Sequence, residues 1–270
     1  MSAVRPTTHE TVGEPRPTTL DFRTWPPRTA SLVAGIALAL MAVLAGFGNF
    51  GAIVTLVTPH DAEQTAEAIA ASAPLFLTGV GSLYVVTILD LLVAAALYAL
   101  FRPVNPVLSA ATAWTRVIFA LVFMVAIGRL VSAFTLLDRP EEALREIEAF
   151  TAIWVTGLGL FGIHLVLVGY LAYRSGFMPR IFGILLGIAG LGYLLDAAGT
   201  VFVAGFTAVF GQFLFVGEVA LIFWLLIRGR RLTPGERQGT VEADRMSPVG
   251  HARANADAAS TRSGVGRRPV

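Results

Sequence analysis

Six long apolar stretches dominate the chain, at about Thr29–Val57, Thr78–Phe101, Pro106–Val131, Phe150–Tyr173, Pro179–Val203 and Phe206–Ile227. Each approaches or exceeds the roughly 20 residues that cross a bilayer core as a helix. The runs are continuous rather than alternating, which argues against a β-barrel, whose segments are about ten residues long with period two. Lipid offers no partner to an exposed backbone N–H or C=O, so each span is predicted to be helical. The expected architecture is therefore an all-α polytopic membrane bundle of six transmembrane helices. Two short turns, Arg102–Asn105 and Arg174–Met178, contain Pro or Gly and make antiparallel hairpins of spans two–three and four–five.

The polar positions between the runs set the orientation. Arg23, Arg28, Arg102, Arg174, Arg180, Arg228, Arg230 and Arg231 gather at one set of ends. The opposite loops carry Asp61, Glu63, Glu67, Asp138, Glu141, Glu142, Glu146 and Glu148, with Arg139 and Arg145 among them. The arginine asymmetry places both termini in the cytoplasm. His60–Ala71 reads as a short helix capped by Asp61, and the segment from Asp138 as a capped helix that runs into the fourth span. Residues 1–28 and 232–270 are polar and aperiodic, and are read as disordered cytoplasmic tails around a membrane domain at 29–231.

Composition agrees with a membrane protein: 55% of residues are apolar and 14% charged, against about 25% charged in soluble domains. There is no Cys, which removes disulfides, thiolate metal sites and cysteine nucleophiles. Every basic residue is Arg, which points to a bacterial source and hence to a bacterial plasma membrane. The bilayer itself is the first partner. Anionic-lipid contact through the cytoplasmic arginines and a membrane-protein partner or second copy are the further partner readings; no nucleic acid is expected.

Chemistry can come only from the ionisable residues inside the spans. Measured along each helix at 1.5 Å per residue, Asp90, Arg116, His164 and Glu218 lie on the order of 13–17 Å from the cytoplasmic end. They are predicted to form one polar layer near the midplane, contributed by four helices. Asp196 lies deeper, on the order of 25 Å in, and with Asn49 forms a secondary polar set. Charges at mid-bilayer cost about 2.5–3.5 kcal/mol each on insertion scales, so they face the bundle interior and find partners. Two readings of the layer stand: a structural cluster in which Arg116 is neutralised by Asp90 or Glu218, or a proton- or solute-binding site. No His-Glu-x-x-His, Walker or Gly-x-Ser-x-Gly motif occurs, so no metal, cofactor or catalytic residue is assigned.

Small residues mark helix contacts. Gly35, Ala39, Ala42, Gly46 and Asn49 fall along one face of the first span, and Gly183, Gly187 and Gly190 along one face of the fifth. Such stripes let backbones approach where lipid removes any apolar preference for association. In the turn between the fourth and fifth spans, Arg174, Gly176, Pro179 and Arg180 form a structural unit. Pro179 fits the first helical turn, where its missing N–H is not needed.

These residues carry a resemblance. Trp114-Thr-Arg116, Phe161-x-x-His164-Leu, Gly169-Tyr170-Leu, Arg174-Ser-Gly176-Phe-x-Pro179-Arg180, Gly183-x-Leu185-Leu and Gly190-x-Gly192-Tyr193 resemble the integral-membrane family named domain of unknown function 4386. The resemblance covers about Arg28 to Arg231 and implies the membrane fold, but no activity. In the family the third-span arginine is commonly followed by Ile or Val and then an acid. Here Val117-Ile118-Phe119 follows Arg116, so the resemblance implies a partner on another helix. A structural or regulatory membrane component, a small proton-linked or solute transporter, and a membrane-embedded enzyme follow in that order; the enzyme lacks any visible nucleophile or metal.

Overall fold

The computed structural model describes residues 25–203, 205–207, 209–211 and 216–231, and every regular element among them is helical. Helix α1 is Pro27–Leu56, α2 Ala62–Ala71, α3 Ala73–Phe101, α4 Pro106–Thr135, α5 Pro140–Arg174, α6 Arg180–Phe202 and α7 Val216–Ile227. Five of them, α1 and α3 to α6, are long and apolar enough to cross a membrane. Of the sixth expected span, helix is described at Phe210–Gly211 and at Val216–Ile227, the latter being α7. The expected tails lie almost wholly outside the described residues.

Helix starts are written in the local sequence. Asp61 Oδ1 accepts from Gln64 N at 2.9 Å and caps α2; Asn105 Oδ1 accepts from Leu108 N at 2.9 Å and caps α4, whose first residue is Pro106. The expected cap before α5 differs. Its N-cap position is Arg139 and no side chain caps it, although Glu141 and Glu142 sit in the first turn as the helix dipole favours. From there α5 runs unbroken for 35 residues, joining the acidic outer segment to the fourth span. Pro179 is the N-cap of α6 rather than its first helical residue; its lack of an N–H is harmless in either place. Gly176 has φ +72°, a conformation that costs a side-chain-bearing residue strain.

Among the described residues the spanning helices close into a ring: α1 packs on α3, α3 on α4, α4 on α5, α5 on α6, α6 on α7, and α7 returns to α1. The short α2 lies across the acidic end, mainly against α5. The tightest crossing is α5–α6. A Cβ on Gly162 would lie 2.6 Å from Gly190 O, and one on Gly183 2.5 Å from Gly169 O, so the two backbones touch where glycine permits it.

The expected stripe on α1 is corrected. Ala42 is exposed and nothing lies within 4 Å of a Cβ on Gly46. The buried small residues are Ala30, Ala34, Gly35, Ala37, Gly48, Asn49 and Ala52, so the packed face is displaced by about one residue from Gly35-Ala39-Ala42-Gly46, a rotation of roughly 100°. A π-helical stretch at Phe47–Ile53 then alters the register and brings Gly48 and Ala52 onto Gly79 of α3. Between its ends the outward face of α1 is apolar, with Val43 71% and Phe50 65% exposed. Surface of that kind suits lipid rather than water.

Candidate functional site

The interior of the ring holds the polar layer. Asp90 comes from α3, Arg116 from α4 and His164 from α5, and all three are 1–2% exposed. Arg116 Nη2 lies 2.7 Å from Asp90 Oδ1 in a fully buried ion pair. The second Asp90 oxygen, Oδ2, and Arg116 Nε have no hydrogen-bond partner among the described residues. Arg116 Nη1 lies 3.1 Å from His164 Nε2. A guanidinium can only donate, so Nε2 is the acceptor. The imidazole proton then sits on Nδ1, which donates to the Thr112 carbonyl at 2.9 Å. His164 is therefore neutral, with its tautomer set by the two contacts.

The rest of the ring completes the shell. Met41 Sδ of α1 is 3.9 Å from Arg116 Nη2. The Arg116 guanidinium carbon lies 5.3 Å from the centroid of Phe161, within cation–π range. Phe161 also stacks on His164 at 5.8 Å and meets Tyr193 of α6 edge-on at 5.5 Å. Tyr193 donates to Glu218 Oε1 of α7 at 2.9 Å. Every helix of the ring thus places at least one residue in a continuous cluster. Glu218 joins it through the tyrosine rather than by a direct ion pair with Arg116, and the guanidinium is neutralised by Asp90.

Tyr193, Phe161 and Met41 were not singled out as site residues from the sequence. Aromatic and Met residues are common in any span, although Phe161 stands three residues before His164 and so shares its helix face. The secondary residues sit elsewhere. Asn49 is buried in the π-helical part of α1. Asp196, 3% exposed, receives three backbone N–H groups, from Val209 at 2.9 Å, Phe210 at 3.0 Å and Gly211 at 2.6 Å. It acts as a helix cap supplied from another element, holding the chain where it turns back toward α7. At the turn, Arg180 lies 5.3 Å over the Tyr173 ring, and Ser175 Oγ donates to Ala172 O at 2.8 Å while accepting from Met178 N at 3.3 Å. Arg129, at the acidic end of α4, pairs with Glu146 of α5 at 3.3 Å.

The main surface grooves lie away from the cluster. One runs between α3 and α4 beside Trp114 and Tyr98, one beside α7 at Trp224 and Arg228, one on the acidic end around His60 and Thr207, one between α4 and α5 at Val122 and Gly157, and one at the α5–α6 turn. None of them is lined by Asp90, Arg116, His164 or Glu218. Among the described residues no group of three or more His, Asp or Glu is arranged to hold a metal ion.

Five long apolar helices with a largely apolar exterior along them define a helical multi-pass membrane protein. The profile of the family described as domain of unknown function 4386 matches residues 33–229. The chain belongs to that family. It is also 36% identical over 151 residues to an uncharacterized protein of Archaeoglobus fulgidus, a match that covers 56% of this chain and 83% of the relative. No solved structure matches.

Proposed function

We propose that the chain is a six-span protein of the bacterial plasma membrane with both termini cytoplasmic, and that its role is structural or regulatory, with the polar cluster acting as a brace between the helices. The observation that carries this reading is the closure of the cluster: Asp90 and Arg116 are 1% and 2% exposed, contact each other, and border none of the main grooves. A permeation path needs access from at least one side.

The sixth crossing would combine α7 with the segment before it. The first N–H groups of a helix that starts at membrane depth need a partner from the protein. Asp196 is that partner for the N–H groups of Val209, Phe210 and Gly211. The arginines at one set of ends support the orientation. Reporter fusions at Arg28, Gly176 and after Arg231 should read cytoplasmic, and those at Glu67 and Glu142 extracytoplasmic; an external signal at Gly176 refutes it.

A proton-linked or solute transporter is the second reading. Two features favour it: Asp90 Oδ2 and Arg116 Nε, which have no hydrogen-bond partner among the described residues, and a Glu218 that forms no ion pair among them. Thermal unfolding of the purified protein across a broad panel of soluble solutes separates the two. The brace predicts no solute-specific stabilisation. A solute that raises Tm of the wild type but not of Asp90→Asn establishes the transporter instead.

A further inference from the structure

We propose that the groove between the start of α6 and the end of α7 is a binding site for one anionic phospholipid. The groove has a volume of about 800 Å³. Its floor is Trp224, 6% exposed, flanked by Phe177 at 6.0 Å and Phe182 at 6.3 Å between ring centroids. Its open side carries Phe223 and Ile227, 59% and 51% exposed. Apolar, aromatic walls of this kind suit an acyl chain.

The head of the groove is cationic. Arg228 and Arg231 both line it. Arg231 N donates to Arg228 O at 3.0 Å, closing a 3₁₀ turn at Gly229–Arg231. Residues three apart in such a turn eclipse one another, so the two arginines share a face. The turn is fixed in place, because a Cβ at Gly229 would collide with Ser31 of α1. Among the described residues neither arginine has a carboxylate in ion-pair range, and every described acid lies at the opposite end or inside the ring. Guanidinium groups match the two free oxygens of a phosphodiester. The quaternary amine of phosphatidylcholine would return a positive charge to this basic rim, so phosphatidylglycerol is the better occupant. On the orientation proposed above, the site opens to the cytoplasmic leaflet, where anionic headgroups attract juxtamembrane cations.

The test is native mass spectrometry of the full chain in neutral detergent, titrated separately with phosphatidylglycerol, phosphatidylcholine and inorganic phosphate. The wild type should retain phosphatidylglycerol at least about tenfold more tightly than phosphatidylcholine. Arg228→Gln/Arg231→Gln should lose that preference, whereas Arg28→Gln/Arg102→Gln, which removes equal charge from the same end outside the groove, should keep it. Phe223→Ser should weaken both lipids while leaving the ratio between them unchanged. Equal retention of the two lipids overturns the site. So does an equal loss in both arginine double variants, which reduces the effect to diffuse charge, or displacement of the lipid by inorganic phosphate. A dimer that forms without lipid and is lost in Arg228→Gln/Arg231→Gln puts a second copy in the groove instead. These outcomes do not depend on the polar cluster, so this site and the proposed brace fail separately.

Discussion

Replacing Arg116 by Leu tests what the polar cluster does. The substitution leaves Asp90, 1% exposed, with no cation beside it, and deprives His164 Nε2 of its donor. Breaking a buried pair by removing one partner costs about 3–5 kcal/mol, mostly from the orphaned charge. Losing the donor to His164 adds about 1–3 kcal/mol. A single hydrogen bond between membrane helices averages only about 0.6 kcal/mol, so a loss of several kcal/mol cannot come from contacts alone. Asp90→Leu should also destabilise, because Arg116 then keeps its charge with only His164 and the Phe161 face opposite it. The double variant Asp90→Leu/Arg116→Leu removes both charges together and should fall within about 1–3 kcal/mol of the wild type, the residue being the unsatisfied imidazole.

The assay is equilibrium unfolding in mixed micelles of rising denaturing-detergent content, followed by tryptophan fluorescence in all four proteins. Independent sites add within about 0.3–0.5 kcal/mol. The brace predicts a double variant far more stable than the sum of the single losses. Additive losses, or an Arg116→Leu that unfolds with the wild type, would refute the reasoning. A stable double variant also offers the cleanest test of transport, since it keeps the bundle and lacks both charged groups at its centre.

Four further outcomes follow from the geometry. Nitrogen NMR of the labelled protein should show His164 as the Nδ1–H tautomer, and an Nε2–H signal would contradict the donor role of Arg116. Gly190→Ala places a Cβ 2.6 Å from Gly162 O, a backbone atom that cannot swing aside, and should lower stability by about 1–3 kcal/mol in the same unfolding assay, whereas Gly46→Ala meets nothing and should be nearly neutral. Asp196→Ala strands three N–H groups and should speed hydrogen exchange at Val209, Phe210 and Gly211 before it affects the α5–α6 hairpin; unchanged exchange there would show that the cap is dispensable. Gly176→Val should lower folded yield through its φ of +72° alone, since no atom lies within 4 Å of the new Cβ, and Gly176→Asn should recover most of it, Asn being at ease in that region.

Membrane spans were legible because six apolar runs leave few alternatives, and Asp90, Arg116 and His164 were legible because an ionisable group in such a run has to turn inward. The α1 stripe was misplaced for the opposite reason. Gly35-Ala39-Ala42-Gly46 and the packed Ala30-Ala34-Ala37-Gly48-Ala52 are equally small and apolar, and lipid is as apolar as the core, so residue size alone cannot say which face points in. A π-helical stretch inside α1 has no signature in hydropathy. Asp196 was visible as a deep acid, yet its partners are backbone N–H groups 13 to 15 residues further along, which no side-chain pattern reports.

That difference explains why the last apolar run was the hardest to read. An apolar run predicts a continuous helix only if every backbone group can be satisfied within it. Asp196, on a neighbouring helix, accepts from the N–H groups of Val209, Phe210 and Gly211, so helix starts at Phe210 with its first donors satisfied from outside the run. Hydropathy still reads 206–227 as one span, while Phe206, Thr207 and Val209 are not helical and helix is described at Phe210–Gly211 and Val216–Ile227. Asp196 and Glu218 therefore answer different needs although both are acids inside the fold: the first caps the N–H groups where helix starts at Phe210, and the second ties α7 to α6 through Tyr193 and, by way of Phe161, to the Arg116 pair. Truncating Tyr193 to Phe should then loosen α7 while leaving the Asp90–Arg116 pair in place, because the hydroxyl is the only described atom joining Glu218 to the ring interior by a hydrogen bond.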